Sequence, residues 1–264
     1  PLTGSADDVY RLTYPQTLVR NLAYFERYPW DRRTCGLVAR HLADTEELLP
    51  TGERLTPERF QQIGIQLGSA SGFDALHYLL EDPFTSVRGV RRLREHVLTQ
   101  LGQRLTFALN PLYWVMHESI YGQANLPATN WAAHRVRGEF DLFARPPADL
   151  KEEFVFVGEH MFPWQGDQDP ALVPLREAAV LLATKNDWDN LYDTDVLAEN
   201  TVPVAAAIYR PDMFVPASSQ LATADKIAGL RTVVSETYHH DGLRVDGARI
   251  FSELVTEVPP SNAH

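Results

Sequence analysis

The sequence of 264 residues predicts an α/β chain in two parts: helices over residues 1–148, then the C-terminal part of a parallel sheet over 149–264. Three observations predict it. Apolar residues recur at helical spacing from Asp7 to about Phe143. The run Arg145-Pro146-Pro147-Ala148-Asp149 reads as a linker. Beyond it strand and helix patterns alternate, and Val204-Ala205-Ala206-Ala207-Ile208 is apolar throughout, like a strand buried on both faces.

Taken in order, Leu18, Leu22 and Phe25 share one helix face, and Leu37, Val38, His41 and Leu42 share another. Thr56-Pro57-Glu58-Arg59 opens a third helix, with Thr as cap and Pro at the first helical position. An apolar helix over 75–80 stops near Asp82-Pro83. Residues 88–101 read as a basic helix with an exposed face, 110–121 as an aromatic helix and 131–140 as a short one. After the linker come a strand over 154–157 and a helix over 170–183. Two further strands, 202–209 and 231–238, enclose a short helix over 225–229. So few strands cannot cover one another, and most of the sheet is expected upstream of Pro1.

Composition narrows the partners. The net charge of −11 argues against wholesale binding to nucleic acid or an anionic membrane, both of which demand basic patches. No apolar run approaches the ~20 residues of a membrane span. Pro1-Leu2-Thr3-Gly4 opens no basic-then-apolar leader and lacks an initiator Met, so a longer product cut or truncated here is expected. The single Cys35 excludes an intrachain disulfide and a Cys-based zinc site, and it favours a cytoplasmic location.

Two strands run into polar turns that carry reactive side chains. The first leads into Arg210-Pro211-Asp212-Met213, the second into His239-His240-Asp241-Gly242. An acid after one strand and a histidine after the next is how the second half of an α/β-hydrolase triad is written. Asp212 would hold the histidine in one tautomer and stabilise its protonated form. Spacing alone does not separate His239 from His240. The nucleophile elbow, Gly-x-Ser-x-Gly, is missing. Gly68-Ser69-Ala70-Ser71-Gly72 has Ala at its centre and follows helical sequence.

Glu118 and Glu159 lie among large apolar side chains, where an unpaired carboxylate is costly to desolvate. Converging, and walled by aromatics such as Tyr121 and Trp164, they would make an anionic pocket for an ammonium group. Alternatively each pairs with a local arginine, Arg135 or Arg137. No metal is expected, because His117-Glu118-Ser119-Ile120-Tyr121 lacks the second histidine of a zinc helix.

The chain resembles the proline iminopeptidases, serine peptidases of the α/β-hydrolase fold. The likeness runs in order through Ala108-Leu109-Asn110-Pro111-Leu112-Tyr113 to Glu118, Asn130-Trp131-Ala132-Ala133, and Gly158-Glu159 to Trp164. It continues through Val202-Pro203-Val204, Asp212-Met213-Phe214-Val215-Pro216 and His240-Asp241-Gly242-Leu243-Arg244. The resemblance implies Asp212 as triad acid, His240 as base, and Glu118 and Glu159 as ligands of a free N-terminal proline amine. It implies that the helical part is a large cap domain, that no cofactor is used, and that the substrate is a peptide with N-terminal proline. The oxyanion loop and elbow serine would lie in a hydrolase half missing from this chain, on the same precursor or a second one. Another capped hydrolase (an esterase or epoxide hydrolase) and an inactive amine-binding fragment are the competing expectations.

Overall fold

The computed structural model describes residues 4–258; the remainders of both predicted parts, 1–3 and 259–264, lie outside the described residues. Helix α1 (Ala6–Arg27) starts at a capping box in which the Ser5 hydroxyl accepts from the Asp8 N–H and the Asp8 carboxylate accepts from the Ser5 N–H. Helices α2 (Pro29–Asp44) and α3 (Pro57–Gln61) both begin at a proline, and Thr56 caps α3 by accepting from the Arg59 N–H. Helix α4 (Gly72–Leu80) completes the first group.

Next comes a hairpin, where the sequence reading expected a helix over 88–101. Strands β1 (Phe84–Val87) and β2 (Val90–Leu93) pair antiparallel, and α5 (Glu95–Leu105) begins only afterwards. The reason is local. Arg88 and Gly89 both have positive φ, 53° and 80°, the backbone of a two-residue hairpin turn. Glu47, buried, then accepts from the Leu93 N–H at 2.9 Å and pairs with Arg92 and His41.

Short helices follow: α6 (Pro111–Met116), α7 (Ala132–Val136), α8 (Asp141–Ala144) and α9 (Gln165–Gln168). Helix α10 (Arg176–Thr184) covers the second half of the helix expected over 170–183. Residues 154–157 are buried but form no strand. Side-chain amides of the helices take up their backbone groups instead. The Asn21 amide donates to the Phe156 carbonyl at 2.9 Å and accepts from the Phe156 N–H at 2.7 Å. The Gln61 side chain donates to the Val155 carbonyl at 2.8 Å. A β-carbon at Gly64 would lie 2.2 Å from that of Phe156, so only glycine lets this segment lie against the 3-10 turn Gln62–Gly68.

The C-terminal part contains α11 (Thr194–Ala198), β3 (Val204–Tyr209), α12 (Ala217–Ala224), β4 (Leu230–Ser235) and α13 (Gly242–Glu257). Strands β3 and β4 pair in parallel, Val204 opposite Leu230 and Tyr209 opposite Ser235. This is the α/β unit that the alternating pattern predicts. The helix between the strands stands at Ala217–Ala224, not over 225–229, where Gly229 with φ 72° ends the crossover. Strand β3 is fully buried only at Ile208 and Tyr209, because among the described residues it has one strand neighbour.

The main core joins α1, α2, α4, α5 and α7 to residues 154–157 and reaches Met213. A smaller one gathers Trp114, Val115, Met161, Leu172 and Ala179. Gly68 fixes the junction of the two parts, since the Phe214 ring occupies the space a β-carbon would need there. The turn after β3 is thereby pressed against the helical body.

Candidate active site

The turn after β3 closes on its own aspartate. Asp212 Oδ1 accepts from the N–H groups of Phe214 and Val215 at 2.8 and 3.1 Å, an Asx turn that holds the carboxylate rigidly. The residue is buried, and its other oxygen, Oδ2, lies 2.9 Å from Nδ1 of His240. A carboxylate only accepts, so Nδ1 carries the proton and Nε2 is the free acceptor of this half-exposed ring. The Phe214 ring stands edge-on to the imidazole at 5.1 Å and limits its rotation. The hydrogen bond that His240 donates to Asp212 raises the His240 pKa above its ordinary value, against the opposing effect of burial.

The structure also separates the two histidines. His239 is turned toward the backbone of Pro211, with Nδ1 buried and without a partner, and burial holds its pKa low. Only His240 is hydrogen-bonded to Asp212.

Glu159 is drawn into the same neighbourhood. Its carboxyl is pushed up to about 7, first by burial and then by the negative charge of Asp212, while His240 pulls it back down. Tyr113, on α6, donates its hydroxyl proton to Glu159 Oε1. Glu118 lies deeper and accepts two backbone protons, Ala132 N–H on Oε2 and Ala133 N–H on Oε1, each at 2.9 Å. Trp131 adopts φ 57° immediately before α7, which aims those two N–H groups at the carboxylate. Burial still raises the Glu118 pKa, against these hydrogen bonds.

Neither candidate arginine bonds a glutamate directly, although the charge of Arg135 favours ionised Glu118 from a distance. Arg135 forms a fork with Asp7 at 2.5 and 2.8 Å, and Arg137 bonds the Phe143 carbonyl and Gln61. Tyr10 links the two carboxylates electrostatically: its hydroxyl is buried without a partner, and burial, then Glu118, Tyr121 and Glu159 all oppose its ionisation. Tyr121 meets the Tyr10 ring edge-on at 6.2 Å, and its own pKa is pushed up to about 12 by burial and Glu118. Trp164 stacks on Phe162 at 5.4 Å, and no hydrogen bond joins it to either glutamate.

The structure therefore brings Asp212, His240 and Glu159 together, with Glu118 and Tyr121 gathered around Tyr10. The sequence reading missed Tyr10, Tyr113 and His160. A signal for the first existed in α1, where Tyr10, Thr13, Tyr14, Thr17 and Asn21 form a buried polar stripe at helical spacing. His160 stacks on Tyr14 at 4.0 Å, accepts from the Gly158 N–H through Nδ1, and lies 3.3 Å from the Thr13 hydroxyl through Nε2.

Two curated proteins are similar to this chain along nearly its whole length. It is 41% identical to a proline iminopeptidase of Aeromonas sobria over 255 residues, 97% of this chain and 58% of that protein. It is 30% identical to the proline iminopeptidase aneH of Aspergillus aculeatus over 257 residues, 96% of this chain and 55% of that protein. The chain is a homologue of the proline iminopeptidases. It spans a little over half the length of these relatives. No family model matches it. The homology implies an α/β-hydrolase fold, and the parallel β3–β4 pair, with an aspartate after one strand and a histidine after the next, is consistent with that fold. Among the described residues no helix is long and apolar enough to cross a membrane.

Proposed function

We propose that this chain carries the acid, the base and the amino-terminus pocket of a serine aminopeptidase that releases N-terminal proline, or a similar small residue, from peptides. The observation that carries the reading is the Asp212–His240 hydrogen bond of 2.9 Å, with the half-buried Glu159 within electrostatic reach of both. His240 Nε2 takes the proton of a serine hydroxyl as its oxygen attacks the prolyl carbonyl carbon. As the C–N bond breaks, His240 returns that proton to the leaving nitrogen. Water then displaces the serine ester by the same proton route. The serine and the oxyanion donors come from a hydrolase half beyond this chain, on the same polypeptide or a second one. The chemistry needs no cofactor.

Glu118 and Glu159 bind the substrate ammonium, and Tyr121 and Trp164 wall the pocket, Trp164 stacked on Phe162. Glu118 can do so while holding the start of α7, because each carboxylate oxygen keeps a second lone pair. In this proposal residues 1–148 are the cap domain and 149–264 belong to the hydrolase core. Residues 154–157 pack into the helical body and tie the two together. The single buried Cys35 suits a cytoplasmic enzyme.

The test uses the complete polypeptide, assayed on an N-terminal proline amide and on a simple ester. Glu118→Gln or Glu159→Gln is expected to lower kcat/KM for the proline amide by about a hundredfold and for the ester only a few-fold. Equal losses on both substrates would remove the glutamates from the role of amine ligands.

A further inference from the structure

His240 also borders a separate space. A cavity of about 760 Å³ opens beside it, lined in part by Arg244, Gln66, Ser69, Phe214 and Asp241. None of Glu118, Glu159 and Tyr121 lines it. Arg244 projects from the first turn of α13 and is exposed. Its guanidinium has no carboxylate or carbonyl partner among the described residues.

Asp241 is the only acid in the lining, and it is already engaged: both of its oxygens accept from the Ala70 N–H at 3.1 Å. It also lies in the field of Arg20, whose Nε donates to the Leu67 carbonyl. The cavity thus presents an uncompensated guanidinium, a side-chain amide at Gln66 and apolar surface at Phe214. That combination suits a small residue ending in a carboxylate, because the planar fork of arginine matches a carboxylate through two parallel hydrogen bonds.

We propose that this cavity receives the residue that leaves, with Arg244 binding its free α-carboxylate, so that dipeptides with N-terminal proline are favoured substrates. The inference rests on the aminopeptidase reading above. In that reaction His240 must hand its proton to the leaving nitrogen, so the leaving residue has to lie against His240. A cavity bordered by His240 and furnished with an unpaired cation meets both requirements.

The experiment compares kcat/KM for prolyl-alanine and for its C-terminal amide, using the complete polypeptide. The acid is expected to exceed the amide by about tenfold. In Arg244→Gln the acid-to-amide ratio should fall to about one, and in Arg244→Lys part of the preference should return. Cleavage of both peptides with a ratio near one, or an unchanged ratio in Arg244→Gln, overturns the assignment of Arg244 and leaves the peptidase reading standing. No cleavage of either peptide by the unsubstituted protein overturns both.

Discussion

In the proposed site Glu159 and His240 are coupled charges, and the useful form of each appears as pH rises. Glu159 binds an ammonium only when ionised, and its carboxyl is pushed up to about 7 by burial. His240 accepts a proton only when neutral, and its hydrogen bond to Asp212 raises its pKa. At low pH both groups are protonated, and the proposed site then lacks its amine ligand and its base at once. On a logarithmic plot, kcat/KM for an N-terminal proline substrate should climb toward neutrality with a slope steeper than one. Glu159→Gln should reduce that slope to about one; a slope of one in the unsubstituted protein contradicts the coupling.

Two other histidines bear on stability. Burial lowers the pKa of His117 to about 4 and that of His160 to about 3. Their stabilising contribution is complete above the ordinary value near 6.5 and is lost progressively as pH falls toward those values. At pH 5 each costs the fold about 2 kcal/mol. Glu159 acts in the opposite sense, since a raised carboxyl favours the fold at low pH and loses that contribution as pH rises through about 7. Comparing His160→Gln with the parent isolates one histidine. The stability gap between the two, read from urea melts, should shrink by about 2 kcal/mol between pH 7.5 and pH 5. A constant gap would contradict the buried neutral form.

Among the elements, the segment 154–157 depends on helices for its backbone partners. Asn21→Ala removes the donor to the Phe156 carbonyl and the acceptor of its N–H, leaving two buried groups unpaired. The expected loss is about 3 kcal/mol in chemical denaturation, and a loss below about 1 kcal/mol would contradict this bracing role. Short-range chemistry decided which elements were legible in the sequence. Strands β3 and β4 were, because each apolar run ends in a turn with its own aspartate or glycine, and those turns carry Asp212 and His240. The β1–β2 hairpin was not, because its turn is Arg88-Gly89 and its strands are basic and polar, matching a solvated helix equally well. Residues 154–157 form an apolar run like a buried strand, and nothing local shows that amide side chains more than ninety residues away, Gln61 and Asn21, replace the strand partners. Glu118 was legible as a carboxylate in apolar company, but its partners depend on the positive φ of Trp131, which the sequence does not signal.

At the scale of the molecule, α13 leaves much of its apolar surface open. Leu243, Phe251 and Val255 are 62%, 66% and 54% exposed, and β3 has a single strand neighbour among the described residues. Such surfaces favour association. Residues 1–264 produced alone should therefore elute as oligomers or aggregate, and a stable monomer with one cooperative melt would contradict that. The likeness to relatives about 1.7 times as long fits this, since 97% of the chain aligns to 58% of one of them. The central claim is that Asp212 and His240 are the acid and base of a proline-releasing serine peptidase. Its most direct test is the rate of proline release from an N-terminal proline peptide by the complete polypeptide bearing His240→Ala or His239→Ala. His240→Ala should lower kcat by about 10⁴-fold or more while His239→Ala stays within tenfold of the parent. A His240→Ala protein that keeps its rate, or a loss confined to His239→Ala, would contradict the account.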